Sequence, residues 1–431
     1  MSYNSLLNFN DSSHNEAKFR IDPQSDRYQT LLNAHLHDGQ ALAPVSLYFE
    51  LITRAALALY SDWEDMSQVP CVESIQLKNP VGLDSSQDIF LCLTRNEATQ
   101  PSWSFVLSSQ AKEQSGRNNS EPVEHVTGKV YLQKRDHPQV VQNFRRFESL
   151  IGYRRCEEIM NIPEAENMQG SHIDRAISQL VSLGDEFHGV RRIAALRNEA
   201  ASRVVKSVTP NAPLGQRLCE TPMIDSFLQF TGLLVNYFTH PSAKDIHVVL
   251  QIGRFEIGGS FNPEAKEWIV YVNLTEDNDR RTVCDIYVFE AESKKLVMTI
   301  LDYSFSRASQ SVVAGMLKGV NESTTGASAS IDEERKAPVV LEPPTSKSSE
   351  KVPKSQTKKP PSKRGDLIEL LHKVTDIPAE GLTDESTLEE FGIDSLMVTE
   401  VLRAAFGLDI DLTDFLFLPN IRAICAYIDS K

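Results

Sequence analysis

The 431-residue chain carries a net charge of −15 and 41% hydrophobic residues, with no unbroken apolar run of the roughly 18 residues that a membrane helix needs. That acidity argues against a nucleic-acid partner, whose phosphates demand a positive face. The start, MSYNSLLNFNDSSHNE, lacks the basic and apolar parts of a signal peptide, and six scattered cysteines without a C-x-x-C pair read as reduced thiols, so a cytoplasmic protein without a structural metal is expected.

Taken in chain order, the first feature is HLHDGQALAP, residues 35 to 44, with two histidines just ahead of a glycine turn. It leads into PVSLYFELITRAALALY (44 to 60), which is apolar around most of its circumference, as expected of a helix wrapped by a sheet rather than one lying on a surface. Four β-rich runs follow, CVESIQLKN, DIFLCLT, SWSFVLSS and EHVTGKVYLQ. The pattern then recurs. TPMIDSFLQFTGLLVNYF (221 to 238) reads as a helix with Thr221 placed to cap it and Pro222 in its first turn, and VVLQIGRFEIG, EWIVYVNL, VCDIYVFEAE and KLVMTILDYSF follow as strands. One buried helix clasped by a curled antiparallel sheet, occurring twice, is the expected α+β architecture of residues 1–310.

Along the second helix, Asp225, Gln229, Gly232 and Asn236 recur at i, i+4, i+7 and i+11 and share one face. Such a polar stripe is either the solvent face of an amphipathic helix or, if the helix is buried, the wall of a cavity, because an unpaired buried carboxylate is costly.

From 311 to 364 the chain is rich in Ser, Thr, Pro and Lys and poor in large apolar side chains, and it reads as a flexible linker. Residues 365–431 return to helical spacing in DLIELLHKVTDI, DSLMVTEVLRAAF and NIRAICAYI and carry about ten more acidic than basic side chains. Within this small all-α unit, FGIDSLMVTEVL places Asp394 at a helix start and Ser395 beside the positive end of the helix dipole, where a phosphodiester is favoured. Asp-Ser alone is a capping pair. In its wider setting, with an amphipathic first helix, L-x-x-F-G-I-D-S-L and FLFLPNIRAICAYI, the unit resembles an acyl carrier protein. The resemblance implies a four-helix carrier bundle, 4'-phosphopantetheine on Ser395 and a phosphopantetheinyl transferase as a partner.

His35, Gly39 and Pro44 fit H-x-x-x-G-x-x-x-x-P, and Asp225 with Gln229 fits D-x-x-x-Q. Together with VESIQLKNPV, DSFLQFTG, IGRFEIGGSF and CDIYVFEAESKKLV in order, these spacings resemble the double hot-dog dehydratases and the product-template domains of fungal non-reducing polyketide synthases, over roughly residues 8 to 310. The resemblance implies a tandem hot-dog fold and assigns the chemistry to His35 and Asp225 rather than to His37, which is displaced from the family's motif and is expected to point away. His125 is expected on a strand without a visible partner, and His188 in a structural role, the alternative being that it shapes substrate binding from a segment that often lines the pocket in this family. His37 and Ala43 both depart from the family's usual residues.

By the same resemblance, His35 is the base that deprotonates an activated methylene of a carrier-bound poly-β-ketoacyl chain, Asp225 orients the imidazole, and Gln229 places Asp225 or binds a carbonyl. The outcome is regioselective aldol cyclisation and aromatisation. A dehydratase acting on a β-hydroxyacyl thioester uses the same pair, and a non-catalytic fragment that only holds acyl chains is the third reading. No G-x-G-x-x-G reductase motif follows a strand, so the chain does not make a β-hydroxyl itself. Ketosynthase, acyltransferase and releasing enzymes are expected in trans or on the rest of a larger synthase, and homodimerisation stays open.

Overall fold

The computed structural model describes residues 7–12, 15–60, 67–96, 100–112, 122–207, 219–242, 244–278, 281–321 and 421–430. Ser395, residues 322–364 of the expected linker and most of the carrier unit therefore lie outside the described residues. The described part of that unit is the helix Ile421–Ser430, whose Ile421 and Ile424 are buried. The remainder forms one unit, described by itself.

Its first half contains β1 (Leu7–Ser12), β2 (Glu16–Ile21), α1 (Asp26–Asn33), the short β3 (His35–His37) and β4 (Gln40–Ala41), and α2 (Val45–Tyr60). β5 (Gln68–Leu77), β6 (Gln87–Arg95), β7 (Ser102–Ala111) and β8 (Val123–Lys134) complete it. An outer layer follows: α3 (Pro138–Leu150), α4 (Gly152–Asn161), β9 (Glu166–Gln169), α5 (Ser171–Ile177) and β10 (Ser182–Leu183). The second half comprises β11 (Val190–Leu196), β12 (Glu199–Val205), α6 (Thr221–Leu233), β13 (Asp245–Ile257), β14 (Glu267–Asp277), β15 (Arg281–Glu290), β16 (Leu296–Ser309) and α7 (Gln310–Gly319).

Thirteen strands form one sheet in the order β1-β2-β6-β7-β8-β5-β13-β16-β15-β14-β12-β11-β9. The two halves join where β5 pairs antiparallel with β13, Ile75 opposite Ile252 and Val72 opposite Phe255. The sheet wraps α2 and α6, which touch each other at its centre. This is the double hot-dog arrangement. Alternation explains the wrapping: in β7, Trp103, Phe105 and Leu107 point inward while their neighbours are more exposed. Phe49 of α2 stacks on Phe255 of β13 with centroids 4.2 Å apart, so the first helix packs on a strand of the second half.

β14 and β15 are buried on both faces because α3 and α4 cover their outer side. Trp268, Val270 and Val272 enter the central core, whereas Ile269 and Tyr271 join Val140, Phe144, Cys156 and Ile159 in an outer one. Among the described residues, no helix is long and apolar enough to cross a membrane.

Three sequence expectations change. Thr221 does not cap α6; it is the helix's first residue, and its backbone N–H donates to Glu50 Oε2 at 2.9 Å while its hydroxyl donates to the same oxygen. A carboxylate from α2 thus does the capping. The second helix is also not α-helical to residue 238: Leu234–Thr239 widens into a π-helix. There Asn236 exchanges hydrogen bonds with the backbone of His247, donating to its carbonyl at 3.2 Å and accepting from its N–H at 2.7 Å. Finally, the unit does not stop at residue 310, where α7 begins; Asn321 just beyond donates to the Ala41 carbonyl at 3.0 Å and accepts from the Leu83 N–H at 3.0 Å.

Glu50 is fully buried, and its Oε1 lies 3.1 Å from Arg27 and 2.9 Å from Arg54. Burial alone would raise its pKa; the two guanidiniums and Thr221 outweigh burial and hold the carboxyl below its usual range. Removing one partner of such a group leaves buried charge uncompensated. Glu50→Ala is expected to cost the hot-dog unit about 3–5 kcal/mol. Denaturant unfolding followed by tryptophan fluorescence measures this cleanly, since Trp63, Trp103 and Trp268 all precede the linker; a cost below about 1 kcal/mol would show that the carboxylate does not pin the helices.

Candidate active site

The stretch HLHDGQA folds into a hairpin of β3 and β4 with His37 opposite Gln40. Asp38 and Gly39 form the two-residue turn with φ of 47° and 73°, the left-handed pair that Asp-Gly favours. The tight turn brings the next residues back beside β3: the Leu42 N–H donates to the His35 carbonyl at 3.2 Å, and His35 Nδ1 donates to the Leu42 carbonyl at 3.1 Å. A carbonyl only accepts, so the proton resides on Nδ1. His35 Nε2 is therefore the lone-pair nitrogen, the form that a base requires. Burial pushes the imidazole pKa down to about 4, which keeps it neutral at physiological pH.

Asp225 stands one turn into α6. Its Oδ1 accepts from Ser46 Oγ of α2 at 3.1 Å and its Oδ2 from Gln229 Nε2 at 2.6 Å. Gln229 Nε2 also donates to the Phe187 carbonyl at 3.1 Å, which ties the carboxylate to the segment before β11. That segment passes very close to α6: a Cβ on Gly189 would collide with the Ser226 side chain, so only glycine fits. Burial raises the Asp225 pKa to about 6 against the opposing pull of Gln229 and Ser46.

His35, Asp225 and Gln229 line one cavity of about 270 Å³, otherwise largely aliphatic, with α7 supplying part of its wall through Val313, Met316 and Leu317. The polar stripe of α6 faces this chamber and not solvent, since Asp225, Gln229, Gly232 and Asn236 all line it. Two details depart from the sequence reading. The Leu42 carbonyl orients the imidazole, whereas the hydrogen bonds of Asp225 go to Ser46 and Gln229. His37 does not turn away: it lines the same cavity with its ring centroid 5.3 Å from that of His35, its pKa pushed down to about 3 by burial and by His35.

The other histidines are accounted for differently. His125 on β8 is buried with Nδ1 donating to the Asn79 carbonyl at 3.2 Å, and His188 sits 3.0 Å from Asp174 and does not line the cavity. Sequence reasoning missed Ser46, Glu50 and Leu42. A lone acid in an apolar helix was a usable signal for Glu50; a backbone carbonyl leaves none.

Because folding raises the Asp225 pKa from 3.8 to about 6, it favours the protonated carboxyl. That contribution to stability is complete below about pH 4 and is lost as pH rises through 6. Asp225→Asn is accordingly expected to stabilise the hot-dog unit at pH 8, by up to about 3 kcal/mol, with the gain shrinking as pH falls toward 4. Denaturant midpoints across that range check it; a gain independent of pH would mean the carboxyl is not strained by burial.

Comparison with known proteins adds a second line of observation. A family model described as the phosphopantetheine attachment site matches residues 365–428, a span that includes Ser395. The non-reducing polyketide synthase adrD of Penicillium rubens is 30% identical over 95% of this chain, which covers 16% of that protein. The 5-methylorsellinic acid synthase of Aspergillus terreus is 26% identical over 99% of this chain, again covering 16% of the relative. The chain thus spans a small part of the curated relatives it matches. Among solved structures, the dehydratase domain from the CurJ module of curacin polyketide synthase superposes with a TM-score of 0.54 at 16% identity, over 71% of this chain and 96% of that domain. The dehydratase domain of RzxB from Pseudomonas fluorescens gives 0.52 at 15%, over 70% and 98%. These structural likenesses concern the fold.

Proposed function

We propose, from the premise that this chain is homologous to one segment of the fungal non-reducing polyketide synthases, that its hot-dog unit directs the aldol cyclisation of a poly-β-ketoacyl chain carried on Ser395. The observation that carries this reading is a neutral imidazole with its lone pair on Nε2 and a buried carboxylate lining one largely apolar chamber. Phosphopantetheine, when attached, supplies the thiol that holds the acyl chain.

His35 Nε2 removes a proton from a methylene flanked by two carbonyls, and the resulting enolate carbon attacks a more distant carbonyl of the same chain. The imidazolium returns its proton to the new alkoxide. Asp225, ionised above about pH 6, stabilises the imidazolium through the low-dielectric chamber, and Gln229 with Ser46 keeps the carboxylate in place. Loss of water then completes the aromatic ring. Much of the catalysis is positional, because a flexible polyketone folds in several ways and the chamber selects which carbons meet.

The test is to phosphopantetheinylate the full chain, supply a non-reducing ketosynthase with its acyltransferase in trans, and compare products. His35→Ala is expected to lower the templated product by about 10²- to 10⁴-fold in favour of spontaneous cyclisation products. Unchanged yield and regiochemistry would overturn the reading, and turnover confined to a β-hydroxyacyl probe would favour a dehydratase. In the wild type the templated rate should rise between about pH 5 and 7 as Asp225 ionises, and Asp225→Asn should lack that limb. The carrier assignment has its own check in intact mass after treatment with a phosphopantetheinyl transferase. A single addition that disappears in Ser395→Ala is expected; an addition that persists in the variant would contradict it.

A further inference from the structure

Five tyrosines are buried among the described residues: Tyr28, Tyr48, Tyr271, Tyr287 and Tyr303. Buried phenols ordinarily find an acceptor, because an unpaired hydroxyl away from water is costly. Three of these have an acceptor beside them: Tyr28 donates to the Gly82 carbonyl at 3.0 Å, and the carboxylates of Glu199 and Asp285 stand next to Tyr271 and Tyr287. Tyr48 and Tyr303 make no such bond among the described residues, and both line the cavity that holds His35 and Asp225.

Their placement is informative. Tyr48 stands on α2, four residues after Pro44 and two after Ser46, while Tyr303 stands on β16, so the two reach the chamber from opposite halves of the double fold. Burial keeps both phenols protonated, hence as donors, and for Tyr303 the nearby Asp225 carboxylate further disfavours ionisation. Elsewhere along the wall the Gln229 amide nitrogen is taken by Asp225 and the Phe187 carbonyl, and Asn236 by the Gly232 carbonyl and His247, whereas Gln229 Oε1, an acceptor, and His247 Nδ1 have no partner among the described residues.

We infer that Tyr48 and Tyr303 are paired hydroxyl donors to two oxygen atoms of the bound chain, with Tyr303 serving the oxygen nearest Asp225, so that the chamber selects a polyketone over a hydrocarbon acyl group. This rests on the cyclisation reading for the identity of the substrate and extends it to specificity. A saturated acyl chain offers one carbonyl, at its thioester. A poly-β-ketoacyl chain presents one at every second carbon and can meet donors on both walls at once. In the aldol step Tyr303 then stabilises the alkoxide that forms as the carbonyl is attacked, and the proton that quenches it comes from the His35 imidazolium.

The test uses the full chain and two non-reactive probes, the 3,5-dioxohexyl and hexyl thioethers of N-acetylcysteamine, titrated by calorimetry. Tyr48→Phe and Tyr303→Phe each remove one oxygen and keep the ring. Each is expected to weaken the dioxohexyl probe about 3- to 10-fold while leaving the hexyl probe within twofold. Equal losses for both probes would assign the rings to packing alone, and no loss for either would mean that the hydroxyls meet only water; both results overturn the inference. His35→Ala separates this from the cyclisation reading. Selective tyrosine effects on binding, combined with unchanged cyclisation in His35→Ala, would leave the donors standing and remove the reaction.

Discussion

Two contacts between antiparallel central helices hold the rest in place: Glu50 with Thr221, and one turn along, Ser46 with Asp225. Positions 46 and 50 on α2 meet 225 and 221 on α6, so a four-residue step on one helix matches a four-residue step on the other. The outer of the two contacts is charged, paired with arginines and structural. The inner one carries the carboxylate that faces the cavity. Because α2 starts directly after the His35 hairpin, fixing the helices against each other also fixes how far the imidazole is from Asp225's end of the chamber. The packing that stabilises the fold and the geometry that builds the site are therefore the same set of contacts.

Burial acts on the two groups in opposite chemical directions. It lowers the imidazole pKa and raises that of the carboxyl, so each is driven toward its neutral form. For the histidine this creates a free base. For the aspartate it is a strain that Gln229 and Ser46 only partly relieve. Native folds retain such strain where function needs it, and here the cost is concentrated at the end of the polar stripe that faces the cavity.

How much of this was legible in the residues depended on what each strand and helix had to bury. β7 covers one core and faces outward on its other side, so its alternation was plain. β14 and β15 feed two cores, and their apolar runs revealed strands but not the α3 and α4 layer that covers them. The stripe from Asp225 to Asn236 was visible as a spacing; that it faces a cavity follows only from the sheet closing around α6. Thr221 looked like a cap because hydroxyls at helix starts usually are, and nothing local indicated a carboxylate 171 positions earlier in the chain. α7 was hidden differently. Its apolar run is short and borders a polar tract, so composition placed the end of the unit too early.

The chemistry of the chamber turns on His35 being a neutral base whose proton resides on Nδ1, held by the Leu42 carbonyl. Nitrogen NMR of histidine-labelled full-length chain, assigned by His35→Gln, reads tautomer and titration together. The expected result is a protonated Nδ1, an unprotonated Nε2 and no ring protonation until the pH approaches about 4. A proton on Nε2, or an ordinary titration near 6.5, would contradict it.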